Sequence, residues 1–149
     1  QVQRAIKKHG LEKLIEIISE VNLDYGEGFE KDVGEYVIVV TCEHYKVNKV
    51  DLVHSNKRGI LSESRRMCFA LMKEHLPISD LEIADMFGGR SRQFINRELN
   101  NLPINQEEFA TKDEANFVRD FLMLTRRVMD FKNEYKLKMW MAKNPSVSE

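Results

Sequence analysis

Cysteine is scarce: 149 residues hold two, Cys42 and Cys68, in no CxxC or Cys/His ligand spacing. A disulfide framework and a zinc finger are therefore excluded, and both thiols read as small apolar side chains in a reducing compartment. Long apolar runs are missing too. None approaches the ~20 residues that cross a bilayer, and no signal peptide is visible. The chain also lacks an overall basic excess, with 23 Lys and Arg against 24 Asp and Glu and a net charge of -1. No phosphate-binding glycine loop, HExxH, nucleophile elbow or apolar pair of carboxylates occurs. Together these absences imply a cytoplasmic protein that is no enzyme, needs no cofactor or metal and has no membrane partner.

What the sequence does hold is helical patterning. Leu11, Leu14, Ile15, Ile18 and Val21 form an amphipathic stripe of about three turns. Asn22 to Asp32 reads as a loop with Gly26 and Gly28. Asp24 and Glu35 are spaced like the ends of a calcium-binding loop, but Gly26 and Gly28 occupy ligand positions and Phe29 stands where that loop needs glycine. Val33 to Tyr45 has two readings. Its β-branched run Tyr36–Thr41 suits a buried strand, while Val33, Val37, Val40 and His44 suit a helix. No partner strand is evident elsewhere, which favours helix. A short turn of helix near Lys49–Val53 follows, then a basic loop with Lys57-Arg58-Gly59. Ser62 to Leu76 is a helix capped by Ser62 or Ser64, buried through Met67, Cys68, Leu71 and Met72, and ended by Pro77.

Leu81 to Leu99 reads as a helix, a glycine turn and a second helix. Leu81, Ile83, Ala84 and Phe87 give the first an apolar face, with Ser79 as its cap. Gly88-Gly89 supplies the corner. Ser91 caps the second helix, whose inner stripe is Ile95, Leu99 and Leu102. Its outer face carries Arg92, Gln93, Asn96, Arg97 and Asn100, side chains suited to base edges in a major groove. Charge follows the same division: residues 46–99 hold 10 Lys and Arg against 7 Asp and Glu, whereas residues 1–45 hold 5 against 9. An ordinary helical corner with a solvated face is the alternative from these residues alone.

After a polar loop over 103–111, residues 112 to about 142 form one long helix. Phe117, Phe121, Leu124, Val128, Phe131, Tyr135 and Met139 make a heptad-like seam, widened by Val118, Leu122 and Met129. Such a face packs on the domain's own body or joins two copies through the 117–139 helix into a homodimer.

Residues 45–102 resemble the C-terminal DNA-binding domain of the bacterial replication initiator DnaA, of the Trp-repressor-like helix-turn-helix group. The resemblance rests on Tyr45–Leu52, on Ser55-Asn56-Lys57-Arg58, on Arg65–Leu71 and above all on Phe87-Gly88-Gly89-Arg90. It implies an all-α fold with a helix-turn-helix at 79–102, to which the helical patterning adds extra N-terminal helices within a domain over 1–111 and a long C-terminal helix with its tail over 112–149. It also implies that the basic loop enters a minor groove through Lys57 or Arg58, and that Ser91, Arg92, Gln93 and Phe94 enter a major groove. The family reads Asp-His-Thr-Thr in those four places. The function expected is double-stranded DNA binding in a regulatory, replication-related or mobile-element role. Arg92, Gln93, Asn96 and Arg97 would read bases, and Lys57, Arg58, Arg65, Arg66 and Arg90 would hold phosphates. The rival expectation is a protein-interaction or oligomerisation module that keeps the helix-turn-helix as scaffold.

Overall fold

A computed structural model describes residues 28–105, 108 and 111–145. All regular structure among the described residues is helical, so the β-branched run of 36–41 forms helix. The elements are α1 (Gly28–Tyr45), α2 (Lys49–His54), α3 (Ile60–His75), α4 (Asp80–Met86), α5 (Arg92–Asn100), a 3-10 turn (Pro103–Asn105) and α6 (Lys112–Lys143). The stripe at 11–21 and Asp24 lie outside the described residues. Glu35, the other end of the calcium-like spacing, pairs with Lys49 at 2.7 Å.

The fold is organised by α3. It packs against α1, α2, α5 and α6, and Met67 through Met72 are buried without interruption. A helix enclosed on nearly every side needs no polar face, which is why its sequence runs apolar over six consecutive residues. Around it lie Val33, Val37, Ile38 and Val40 of α1, Leu52 of α2, Ile83 and Ala84 of α4 with Phe87 just after it, and Ile95 of α5. Val33, Val37, Ile38 and Val40 are explained by the packing of α1 on α3 and α6, whereas Val39 faces outward; the buried ones fill a core and do not build a sheet.

Two boundaries and one apolar face differ from the sequence reading. α1 begins at Gly28, so residues 28–32 are helix and not loop. Gly28 lies against the Tyr135 hydroxyl, where an added Cβ would stand 3.3 Å from it, and the Phe29 ring meets Tyr135 edge-on at 5.2 Å. α3 starts at Ile60, two residues before the earlier serine, behind Gly59 at φ +78° with no side-chain cap. Ser64 instead donates its hydroxyl to the Ile60 carbonyl at 2.6 Å. Finally, Leu81 of α4 is exposed, whereas Ile83, Ala84 and Phe87 are buried.

The long helix belongs to the same core. Phe117, Phe121, Leu124 and Val128 are buried, and α6 packs on α1 and α3. Phe131 stacks on Tyr36 of α1 with centroids 4.1 Å apart. The seam expected to serve either the domain or a second copy is thus packed on the domain over Phe117–Val128, which does not support a homodimer through that face of the 117–139 helix. Leu122, Met123 and Met129 remain on its outer side.

Candidate nucleic-acid interface

Two short helices and a glycine corner make the helix-turn-helix. α4 is started by Ser79, whose hydroxyl accepts from the Glu82 amide at 3.2 Å. α5 is started by Ser91, whose hydroxyl accepts from the Phe94 amide at 3.1 Å. Each cap satisfies one of the amides that a helix start leaves without a partner. Between them Gly88 and Gly89 take φ +75° and +73°. At Gly88 the conformation and the space agree, because an added Cβ would lie 3.1 Å from His54 Nδ1 and 3.4 Å from the Val53 carbonyl oxygen. The corner is therefore pressed against the end of α2, where the basic loop begins.

Two arginines fasten that loop. Arg90 donates to the Ser55 carbonyl at 2.7 Å, to the Val53 carbonyl at 3.3 Å and to Asn56 Oδ1 at 3.2 Å. From the other side Arg65 donates to the Ser55 carbonyl at 3.0 Å and to the Lys57 carbonyl at 2.8 Å. The Ser55 oxygen is shared by both guanidinium groups. Burial draws the Arg65 pKa down, and the charge of Arg90 adds to that while Glu98 opposes it. Burial also draws Arg90 down.

This geometry sorts the residues singled out in the sequence. Arg65 is 4% exposed and Arg90 is spent on loop oxygens, so neither guanidinium points outward. Arg66 pairs with Glu98 at 3.1 Å. Asn96 donates to Asp80 Oδ2 at 3.2 Å and accepts from Asn100 at 3.1 Å, which turns its amide toward its neighbours. Asp80, which no sequence pattern singles out, also receives Lys73 at 2.9 Å, and this contact, with Asn96, holds its carboxylate pKa down. It ties α3, α4 and α5 together. Lys57, Arg58, Ser91, Arg92, Gln93 and Arg97 are exposed. No side-chain ion pair involves Lys57, Arg58, Arg92 or Arg97 among the described residues.

Phe94 does not sit on the outer face as a free side chain. Its ring meets Phe69 of the core edge-on at 6.2 Å, and the guanidinium carbons of Arg90 and Arg97 lie over it at 5.8 and 5.7 Å. No helix among the described residues is long and apolar enough to cross a membrane.

Known proteins agree with this architecture. The family model described as bacterial dnaA protein helix-turn-helix matches residues 35–99. The chain is also similar to a chromosomal replication initiator protein DnaA of Jannaschia sp. (strain CCS1), at 29% identity over 85 residues. That stretch is 56% of this chain and 18% of the relative, so the chain spans less than a fifth of that protein. The resemblance carried by the glycine turn and the basic loop is borne out: residues 35–99 match the family model of the bacterial DnaA helix-turn-helix, in agreement with the all-helical fold.

Proposed function

We propose that this protein binds double-stranded DNA in two adjacent grooves, with the basic loop in a minor groove and α5 in the next major groove. The observation that supports this best is the loop clamp. Arg90 belongs to the glycine corner that launches α5, yet it holds Ser55 and Asn56 of the loop. The two contact elements are thereby fixed to one another before DNA arrives, which lowers the ordering cost of binding.

Within this reading the sequence assignments divide into two roles. Lys57 and Arg58 take the minor groove and its phosphates, Ser91 lies at the entry to the major groove, and Arg92, Gln93 and Arg97 face base edges. Arg65 and Arg90 position the loop, Arg66 braces α5 through Glu98, and Asn96 anchors α5 through Asp80. The protein would act beside DNA in the cytoplasm, as a regulatory, replication-related or mobile-element factor.

Fluorescence anisotropy with a random duplex library at a series of salt concentrations tests the proposal. Lys57 and Arg58 neutralising two phosphates and releasing their counterions predict a fall of log K with log salt of slope about -2. Absence of duplex binding at low salt would refute it. A second reading has one observation in its favour: Leu122 is 61% exposed and stands with Met123 and Met129 on the outer side of α6. A module that keeps the helix-turn-helix only as scaffold and uses this patch for a protein partner would show no salt-dependent duplex binding.

A further inference from the structure

We infer that Phe94 is a positioning residue that fixes Arg97 for a guanine in the major groove, so that one base preference of α5 depends on an aromatic ring that need not touch DNA. The inference rests on the DNA-binding reading above and goes further by naming the base and the device.

Three observations converge. First, Phe94 is anchored from below, because its ring meets the buried Phe69 edge-on, and Phe69 in turn meets Phe87 at 4.9 Å. The ring is thus the outermost member of an aromatic column that rises from the core through α3 and the corner before α5. Second, a guanidinium lies over that ring from each of two sources. The Arg90 group is already immobilised by three oxygens, of Val53 at the end of α2 and of Ser55 and Asn56 in the loop, so it adds a fixed wall beside the ring. Third, Arg97 has no carboxylate partner among the described residues. The ring is three residues before it on the same helix, the spacing at which side chains meet. A flexible arginine held against an aromatic face loses rotamer freedom before binding while the edges of its guanidinium stay free. Those edges carry the paired donors that match O6 and N7 of guanine. The neighbouring Asn96, which would otherwise favour adenine, is occupied by Asp80 and Asn100.

The test combines duplex selection with side-chain NMR on the full chain. Phe94→Met keeps apolar volume against Phe69 and removes the π face, Phe94→Tyr keeps the face, and Arg97→Ala removes the reader. In free wild type the Arg97 side-chain protons are expected upfield, shifted by the ring current; the shift is lost in Phe94→Met and kept in Phe94→Tyr. In selection, wild type and Phe94→Tyr should enrich guanine at one position by roughly tenfold, and Phe94→Met and Arg97→Ala should both flatten that same position. Unshifted Arg97 protons in wild type overturn the inference even if Phe94→Met does not fold. So does a guanine preference that survives Phe94→Met or lies at a different position from the one lost in Arg97→Ala. Failure of the wild type to bind any duplex, with the Arg97 shift present, removes instead the DNA reading and the base assignment that rests on it.

Discussion

Arg65 offers the sharpest test of how the basic loop is held. Its guanidinium is buried, and it donates to the Ser55 and Lys57 carbonyls at 3.0 and 2.8 Å. Arg65→Met keeps much of the apolar stem and removes both donors. A hydrogen bond to a charged group contributes about 1.5–3 kcal/mol net. The Lys57 carbonyl loses its arginine outright, whereas the Ser55 carbonyl keeps Arg90 at 2.7 Å. The second bond therefore counts for less than the first. Methionine also avoids the cost of burying a cation, which offsets part of the loss. The expected net is about 2 kcal/mol of destabilisation, or a melting temperature lower by roughly 4–8 °C for a chain of this size. Far-UV circular dichroism measures it. Limited trypsin digestion supplies a local readout, since a freed loop should be cut after Lys57 and Arg58 sooner than in wild type. Arg65→Lys should fall between the two, because an ammonium on a single stem cannot reproduce the fork. An unchanged melting temperature with unchanged trypsin cleavage in Arg65→Met would refute the clamp.

The remaining predictions concern the corner, the long helix and pH. Gly88→Ala must combine φ +75° with a Cβ 3.1 Å from His54, and should cost about 2 kcal/mol; Gly89→Ala, at φ +73° with open space, should cost about 1 kcal/mol, both read from urea midpoints. Leu124→Ala, at 0% exposure, should lose about 3–5 kcal/mol, while Leu122→Ala should stay within about 0.5 kcal/mol; equal effects would contradict the inward seam. His75 is buried, bonded to Thr125 at 3.2 Å, and its pKa is lowered to about 4 by burial and then by Lys132. The unfolded chain takes up its proton near pH 6.5 and the folded chain only near 4. Stability is therefore full above about pH 6.5 and falls as pH drops toward 4. In His75→Gln the slope of stability against pH in that window should flatten.

Much of the fold is legible in the sequence because it is written locally. Ser79 and Ser91 announce their helices, Pro77 ends one, and Gly88-Gly89 marks the corner. The helix over 33–45 follows from a single absence, the lack of a partner strand for Tyr36–Thr41. Glycine misleads in two places. Gly28 reads as loop but lies inside the first turn of α1, where closeness to Tyr135 favours a residue without a side chain. Gly59 begins α3 without any side-chain cap, so the serines after it look like the start. The site was less legible than the fold. A surface arginine and a buried one look alike in sequence, and only pairs separated by ten or thirty-five positions, Arg65 with Ser55 and Arg90 with Ser55, tell them apart. Asn96 likewise belongs by spacing to the outer face, yet Asp80, sixteen residues earlier, occupies its amide.

The oxygen of Ser55, caught between two guanidinium groups, makes the loop and the glycine corner one rigid jaw. A jaw of fixed gape cannot follow variations in groove width. Any duplex seated on both elements must supply the adjustment itself, by twisting or bending between the two contacts. Sequences with soft pyrimidine–purine steps in that interval would yield more cheaply than stiff adenine tracts. Preference at base pairs that no side chain reaches would then originate in a single backbone carbonyl.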